Sequence, residues 1–334
     1  MVYLDNAATT KPKFFRSDYP DLWMNSNTPY FNLKFDGVIE KAEQKIKNCF
    51  GVNNGCVVFF RCASEIAFWL NSLVGYKFGN ILCNPLSHDS IYNIKTKNQN
   101  SVLPKIYIDQ LINPVTGDNV SNIELPNTLL SAQDFVGCDY TAAIGHVVLP
   151  KLPKHDFIFC SGHKFGCEKN IGCLWINDRL CQYIGANSNI KNNHGLIHGT
   201  TDIQGVCMIA DAMSYACCNI INSNTLLNRF FTECQDLNMK LLTHNIQHKT
   251  YAINAIYIPD VNADALQMYL ATKDIYIGVA HSACSGASDY RVLSFLGYDK
   301  EIASKTIRLS FSLDNTINEI IRLSNEIKKF KEMF

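Results

Sequence analysis

The sequence predicts an α/β fold, with a large domain built on a mostly parallel sheet covered by helices and a small α+β domain at the C-terminus. Three observations carry that expectation. Apolar runs at 57–60, 81–83 and 157–160 read as buried strands, and the longer segments between such runs read as helices. At 334 residues the chain can form one large domain and a smaller one. The texture then changes near residue 250, where a strand, a helix, a loop, another strand and a closing helix follow in short order. The expected division gives residues 12–245 to the large domain, and 1–11 with 246–334 to the small one.

Taken in order, Tyr3-Leu4-Asp5-Asn6-Ala7-Ala8-Thr9-Thr10 is a short strand breaking into a polar turn before Pro12. Residues 38–50 place Val38, Ala42, Ile46 and Cys49 or Phe50 on one face, an amphipathic helix that Gly51 stops. The strand at 57–60 turns through Arg61-Cys62-Ala63-Ser64 into a helix beginning at Glu65. Such a turn presents backbone N–H groups that can hold a phosphate; Ser64 acting as a plain N-cap accounts for it equally. The strand at 81–83 ends near His88, which unaided reads as a hydrogen-bonded structural histidine. The strand at 157–160 leads into Ser161-Gly162-His163-Lys164, and a second apolar run follows at 171–176. A lysine just past a buried strand is placed to react, because burial lowers its pKa. A lysine snorkelling from a strand end fits that stretch alone as well.

Residues 185–205, rich in Asn, Gly and His, read as a long loop entering a helix at 206–216. Residues 251–258 alternate like a half-buried strand, 263–270 read as a helix, 307–312 as a strand, and the last helix runs through Ile320 and Ile327. Between them Cys284 sits among small polar residues, as in an exposed loop.

Composition excludes several classes. A hydrophobic content of 47% with 18% charge describes a globular protein with a sizeable core, and the net charge of zero offers no basic surface for nucleic acid. No apolar run approaches the roughly 18 residues of a membrane span. The first residues lack the basic and apolar regions of a signal peptide, so a cytoplasmic location is expected. In a reducing compartment the fourteen cysteines would stay thiols, and no Cys-x-x-Cys pair supports a metal site.

Together these turns resemble the cysteine desulfurases of the NifS/IscS type, which belong to the class V aminotransferase group of fold-type I pyridoxal phosphate (PLP) enzymes. The resemblance covers nearly the whole chain in order. The opening motif at 3–10, Ser161-Gly162-His163-Lys164 with Ile171-Gly172-Cys173-Leu174, His198-Gly199-Thr200, Ser282-Ala283-Cys284-Ser285 and Arg308-Leu309-Ser310-Phe311 each match a family element. It implies that Lys164 holds PLP as a Schiff base and moves the substrate's α-proton. It likewise implies that Asp139 pairs with the ring nitrogen and that His88 stacks on the ring as a proton carrier. Ala63, Ser64, Ser161 and His163 would cradle the phosphate, joined by Thr200 from the partner of a homodimer. Arg308, with Asn6, would bind the carboxylate of L-cysteine, and Cys284 would take the sulfur as a persulfide for an acceptor protein. His281 is a candidate aid to that thiol.

The chain departs from the family at several points. Cys62 and Arg61 replace a glycine and a serine in the phosphate turn, and Cys167-Glu168-Lys169-Asn170 replaces a Gly-Pro-Lys-Gly run. Ala142 stands where the family has a glutamine, and the Asn-Asn-Glu segment has no clear match unless Gln133 or Asp134 serves. The implied function is PLP-dependent desulfuration feeding iron–sulfur assembly or thiolation. Two alternatives stay open: a carbon–sulfur or carbon–selenium lyase releasing its product directly, and a degenerate relative serving as scaffold or regulator.

Overall fold

The computed structural model describes residues 1–25, 28–94, 102–121, 131–151, 153–185, 192–197, 199–244, 249–280 and 290–333. The chain divides into two compact units. One contains Met1–Thr10, Ile112–Asn122 and Ile221–Phe334; the other contains Lys11–Leu111 and Ile123–Ile220.

Eleven strands are described: β1 (Val2–Leu4), β2 (Cys56–Phe60), β3 (Asn80–Cys83), β4 (Lys105–Gln110), β5 (Phe135–Asp139), β6 (Phe157–Ser161), β7 (Gly172–Ile176), β8 (Lys240–Leu242), β9 (Ile253–Tyr257), β10 (Ile275–Val279) and β11 (Thr306–Ser310). The larger unit holds a six-stranded sheet in the order β2-β7-β6-β5-β4-β3. β3, β4, β5 and β6 run parallel, while β7 is antiparallel to both β6 and β2. Parallel strands deliver their carboxyl ends to one edge, which is where α/β sheets bind ligands. The strands read as near-continuous hydrophobic runs because both faces are covered. Val58, Phe60, Ile106, Ile108, Phe157, Phe159 and Leu174 pack on Ile66, Ala67 and Leu70 of the helix Ala63–Ser72.

The helix Val38–Phe50 forms as its spacing predicts, burying Ala42, Ile46 and Phe50, and it ends on Gly51 in the left-handed region at φ +68°. The helix expected near 206–216 extends over Ile203–Cys218, because the Asp202 side chain accepts from the Gly205 N–H and caps an extra turn. All described cysteines are free thiols. Among the described residues, no helix is long and apolar enough to cross a membrane, and no group of side chains could hold a metal ion.

The second unit carries a five-stranded sheet, β1-β10-β11-β9-β8. β1 pairs parallel with β10 and the remaining pairs are antiparallel. The helices Ala263–Ala271 and Ile317–Met333 give Leu266, Leu270, Ile320, Leu323 and Ile327 to the same core as Ile256, Ile277 and Leu309. The half-buried alternation expected at 251–258 is not what forms. β9 lies between β11 and β8, and Ile253, Asn254, Ala255 and Ile256 are all buried.

One glycine is fixed by two constraints at once. Gly117 has φ +78°, and a Cβ there would fall 2.2 Å from the Ile253 carbonyl oxygen. Gly75 has a similar φ of +83° with nothing within 4 Å. Gly75→Ala should therefore cost about 1 kcal/mol, the left-handed penalty alone, and Gly117→Ala about 3 kcal/mol or more. Denaturant unfolding of the two variants checks this; equal losses would contradict it.

Candidate active site

In the larger unit, β4, β5 and β6 end side by side, with Gln110 opposite Asp139 and Asp139 opposite Phe159 in the ladder. That register brings Gln110, Asp139 and Ser161 to one edge of the sheet. Past Ser161 the chain makes a single 3₁₀ turn, Gly162–Lys164, which returns Lys164 to a buried position. The turn is held by Gly162 N–H donating to the Ile171 carbonyl (2.9 Å) and by Phe165 and Cys167 N–H donating to the Gly162 carbonyl (3.1 and 3.2 Å). A Cβ on Gly162 would lie 3.0 Å from Cys167 and 3.1 Å from Ile171, so the tight turn leaves little room for a side chain.

Asp139 is buried, and its carboxylate accepts from the Thr141 N–H at 2.8 Å. Burial pushes its pKa up; the bond from Thr141 and the charge of Lys164 pull the other way. Thr141 also accepts from the Ser161 N–H at 3.2 Å, tying the ends of β5 and β6 together. The Ser161 hydroxyl itself is buried and has no hydrogen-bond partner among the described residues. His163 is half-buried, and burial with Lys164 and Lys169 nearby lowers its pKa to about 4. At neutral pH it is therefore an uncharged donor.

His88 follows β3 and caps the short helix Asp89–Tyr92, its Nδ1 accepting from the Ser90 N–H at 3.2 Å. The same Nδ1 lies 2.8 Å from the Ser90 hydroxyl, so both of these contacts go to Ser90. The His88 N–H donates to Gln110 Oε1 at 2.9 Å, connecting β3's end to β4's. Beside it Asn84 donates to Asp109, whose pKa burial raises to about 6.

Ala63 and Ser64 open the helix Ala63–Ser72, with Cys62 as N-cap and no side-chain capping bond. Cys62 has φ −167°, extended backbone that any residue adopts, so the departure from glycine is tolerated. Gly172 on β7 packs tightly here: a Cβ on it would lie 3.1 Å from Cys62 backbone and 2.8 Å from the Cys160 carbonyl. Arg61 is exposed, and its guanidinium pairs with Glu65 at 3.1 Å. Thr200 lines a cavity of about 490 Å³ with Arg16, Arg61, Glu65 and Asp202, and neither Lys164 nor Asp139 forms part of its wall.

In the smaller unit Arg308 is 2% exposed, its Nη2 bonded to Asp5 Oδ1 at 2.7 Å and its Nη1 to the Pro114 carbonyl at 3.2 Å. Asn6 is buried, and its amide donates to the Ser310 carbonyl (2.9 Å) and the Tyr3 carbonyl (3.4 Å). Cys284, His281 and His198 lie outside the described residues.

Of the residues that follow, His146 and Lys249 were not singled out by sequence. His146 lies within electrostatic range of Lys164, its Nδ1 bonded to the Ala142 carbonyl, and burial holds its pKa down. Ala142 brings only a methyl group. Asp134 does not replace the missing Asn-Asn-Glu segment: it precedes β5 at the amino-terminal edge of the strands, where it accepts from the Lys105 and Ser131 N–H groups at 2.6 Å. Lys249 donates to the Thr116 and Ile253 carbonyls and to Asn254 (2.8–3.1 Å), and burial lowers its pKa to about 8.

Comparison with known proteins gives one family and a fold. The family model for aminotransferase class-V matches residues 112–323, more than half of the chain. Among solved structures, a NifS-like protein superposes with a TM-score of 0.81 at 19% identity, covering 100% of both chains. The NifS-like protein of Rickettsia africae gives 0.79 at 18%, covering 99% of each chain. The apo cysteine desulfurase of Thermococcus onnurineus gives 0.77 at 16%, over 100% of this chain and 95% of that one. At these identities the likeness establishes the fold. No curated protein matches in sequence.

Lys249 supplies a test of its own environment. Its folded pKa of about 8 lies below the usual 10.5, so between those values the unfolded chain binds the extra proton and stability rises with pH. Relative to Lys249→Met, the wild type should gain stability by up to about 1.4 kcal/mol per pH unit over that window. Unfolding curves at pH 8, 9 and 10 check the sign; a flat or falling difference would contradict the burial.

Proposed function

The chain belongs to the aminotransferase class-V family, and on that premise we propose that it is a PLP-dependent cysteine desulfurase. It would convert L-cysteine to L-alanine and leave the sulfur as a persulfide on Cys284. The observation that carries this reading is the delivery of Lys164 and the buried Asp139 to one edge of a parallel sheet, beside a Ser161 hydroxyl that has no partner among the described residues.

These residues fit PLP. A buried carboxylate suits a ring nitrogen that must keep its proton, a lysine past the strand end suits the aldehyde, and the unpartnered hydroxyl suits a phosphate oxygen. When bound, the cofactor supplies an electron sink for the carbanion formed at the substrate's α-carbon. Lys164 would hold the cofactor and, once released by substrate, carry the α-proton on Nζ. Asp139, shielded from water, would hold the ring-nitrogen proton in place. Ala63 and Ser64 would offer N–H groups at the start of a ten-residue helix to the phosphate, with Ser161 and the neutral His163 adding donors. Thr200 would add one more from a second copy of the chain, since the proposed assembly is a homodimer. His88 has its Nδ1 committed to Ser90, so it would pass protons through Nε2.

In the smaller unit, Arg308 would anchor the substrate carboxylate, with Asn6 fixing the strand end beside it. Cys284 would act as a thiolate, attacking the substrate sulfur so that one S–S bond forms as the C–S bond breaks. The electron pair of the broken C–S bond would stay with the β-carbon, which takes the proton given up by the Cys284 thiol and becomes a methyl group, while Lys164 returns the α-proton to the α-carbon, so that L-alanine leaves complete. An acceptor protein would then take the sulfur in the cytoplasm, for iron–sulfur assembly or thiolation.

Ala142 favours a second reading, a degenerate relative serving as scaffold or regulator without turnover, because it brings no side-chain donor to the cofactor's edge. Turnover of L-cysteine separates the readings. We expect one alanine per persulfide on Cys284, loss of both products in Cys284→Ser, and a fall of about 10²–10⁴-fold in Lys164→Ala. Alanine or sulfide formed independently of Cys284 would indicate a lyase, and no alanine at all would indicate the degenerate relative.

A further inference from the structure

Arg308 and Asp5 lie at opposite ends of the sequence and meet through their strands. β10 pairs parallel with β1 and antiparallel with β11, which sets Gly278 directly opposite Arg308. Gly278 makes the room for the pair: a Cβ there would lie 2.6 Å from Asp5 Oδ1, 2.9 Å from Arg308 Nε and 3.1 Å from Arg308 Nη2. A guanidinium binds a carboxylate best as a fork, two parallel N–H bonds to two oxygens. Nε and Nη2 form one such edge. Asp5 uses only its Nη2 prong, through Oδ1, and the buried Nε has no partner among the described residues.

The two partners differ in their access to water. The Arg308 side chain is 2% exposed, whereas that of Asp5 is 22% exposed. Removing a partner from a buried charge is costly. Replacing one carboxylate by another leaves the guanidinium paired throughout and avoids that cost. A ligand carboxylate that also engaged Nε would make one more charge-assisted bond than Asp5 does.

We infer that Asp5 is an internal competitor for the carboxylate of the substrate: it pairs with Arg308 when no substrate is bound and yields to a small amino acid's α-carboxylate. The inference rests on the reading that Arg308 anchors that carboxylate. Asp5 thereby sets the apparent affinity, since a site occupied nine-tenths of the time by its own competitor binds about tenfold more weakly. It also selects for ligands that bring two carboxylate oxygens.

The test compares Asp5→Asn and Asp5→Ser, which remove the competing charge, with Asp5→Glu, which keeps it. On the full PLP-loaded chain, the neutral variants should lower KM for L-cysteine about tenfold with kcat unchanged, and Asp5→Glu should stay within about threefold of wild type. Calorimetric titration with L-alanine, which carries the carboxylate but no sulfur, should show the same tightening. A KM that rises in the neutral variants would make Asp5 a positioning partner of Arg308 and overturn the inference, as would unchanged KM and L-alanine affinity. Failure of both neutral variants to fold would mark the pair as a structural pin and overturn it too. If no protein, wild type included, turns over L-cysteine, the assigned activity fails and calorimetry decides alone. Tighter L-alanine binding in the neutral variants then sustains the competitor, and no L-alanine binding by any of the proteins overturns it.

Discussion

The parallel pairing of β5 with β6 is the constraint on which the larger unit's chemistry depends. Two strands running the same way side by side must end at the same edge, and here they end as Asp139 and Ser161. Neither residue needs a loop to find the other. Thr141 locks the edge by donating its N–H to Asp139 and accepting from the Ser161 N–H. The antiparallel β7 then takes the chain back between β6 and β2, and Gly172 lets Cys62 and Cys160 approach closely. The helix that opens at Ala63 is thereby fixed to the same sheet as the Lys164 turn. A buried carboxylate is costly, and its raised pKa records that cost. A cationic or protonated ligand beside Asp139 would offset it.

The smaller unit solves a similar problem differently. Arg308 lies in a central strand where no water can solvate it, so its charge is met from within by Asp5 and a backbone carbonyl. Lys249 shows the same logic without a carboxylate bonded to it, surrounded instead by two carbonyls and an amide oxygen. Burial lowers its pKa, and the charge of Asp118 nearby offsets only part of that. Arg308, unable to shed its proton, takes a full counter-charge.

Elements with a local signature were legible in the sequence. The face formed by Ala42, Ile46 and Phe50 and the left-handed Gly51 mark the helix Val38–Phe50 at both ends. The turn at Ser161-Gly162-His163-Lys164 stood out because a charged residue interrupts two apolar runs. β4 and β5 did not stand out, since Asp109 and Gln110 in one and Gly137 and Asp139 in the other cut their apolar runs short. Contacts between distant residues left no trace. Nothing near Asp5 announces an arginine 303 residues later, nothing near His146 announces Lys164, and the carbonyls that hold Lys249 could not be read from side chains. Asp134 misled for a related reason. Its distance in sequence from Asp139 is small, yet β5 carries the two to opposite edges of the sheet.

The central claim is that Lys164 is the residue that holds the cofactor. The direct measurement is incubation of the purified chain with PLP, reduction with borohydride and mapping of the phosphopyridoxyl label by peptide mass spectrometry. The account predicts a single label on Lys164, lost in Lys164→Ala and weakened in Asp139→Asn. A label on Lys249, whose buried surroundings favour the neutral amine, or no stable label at all, would contradict it.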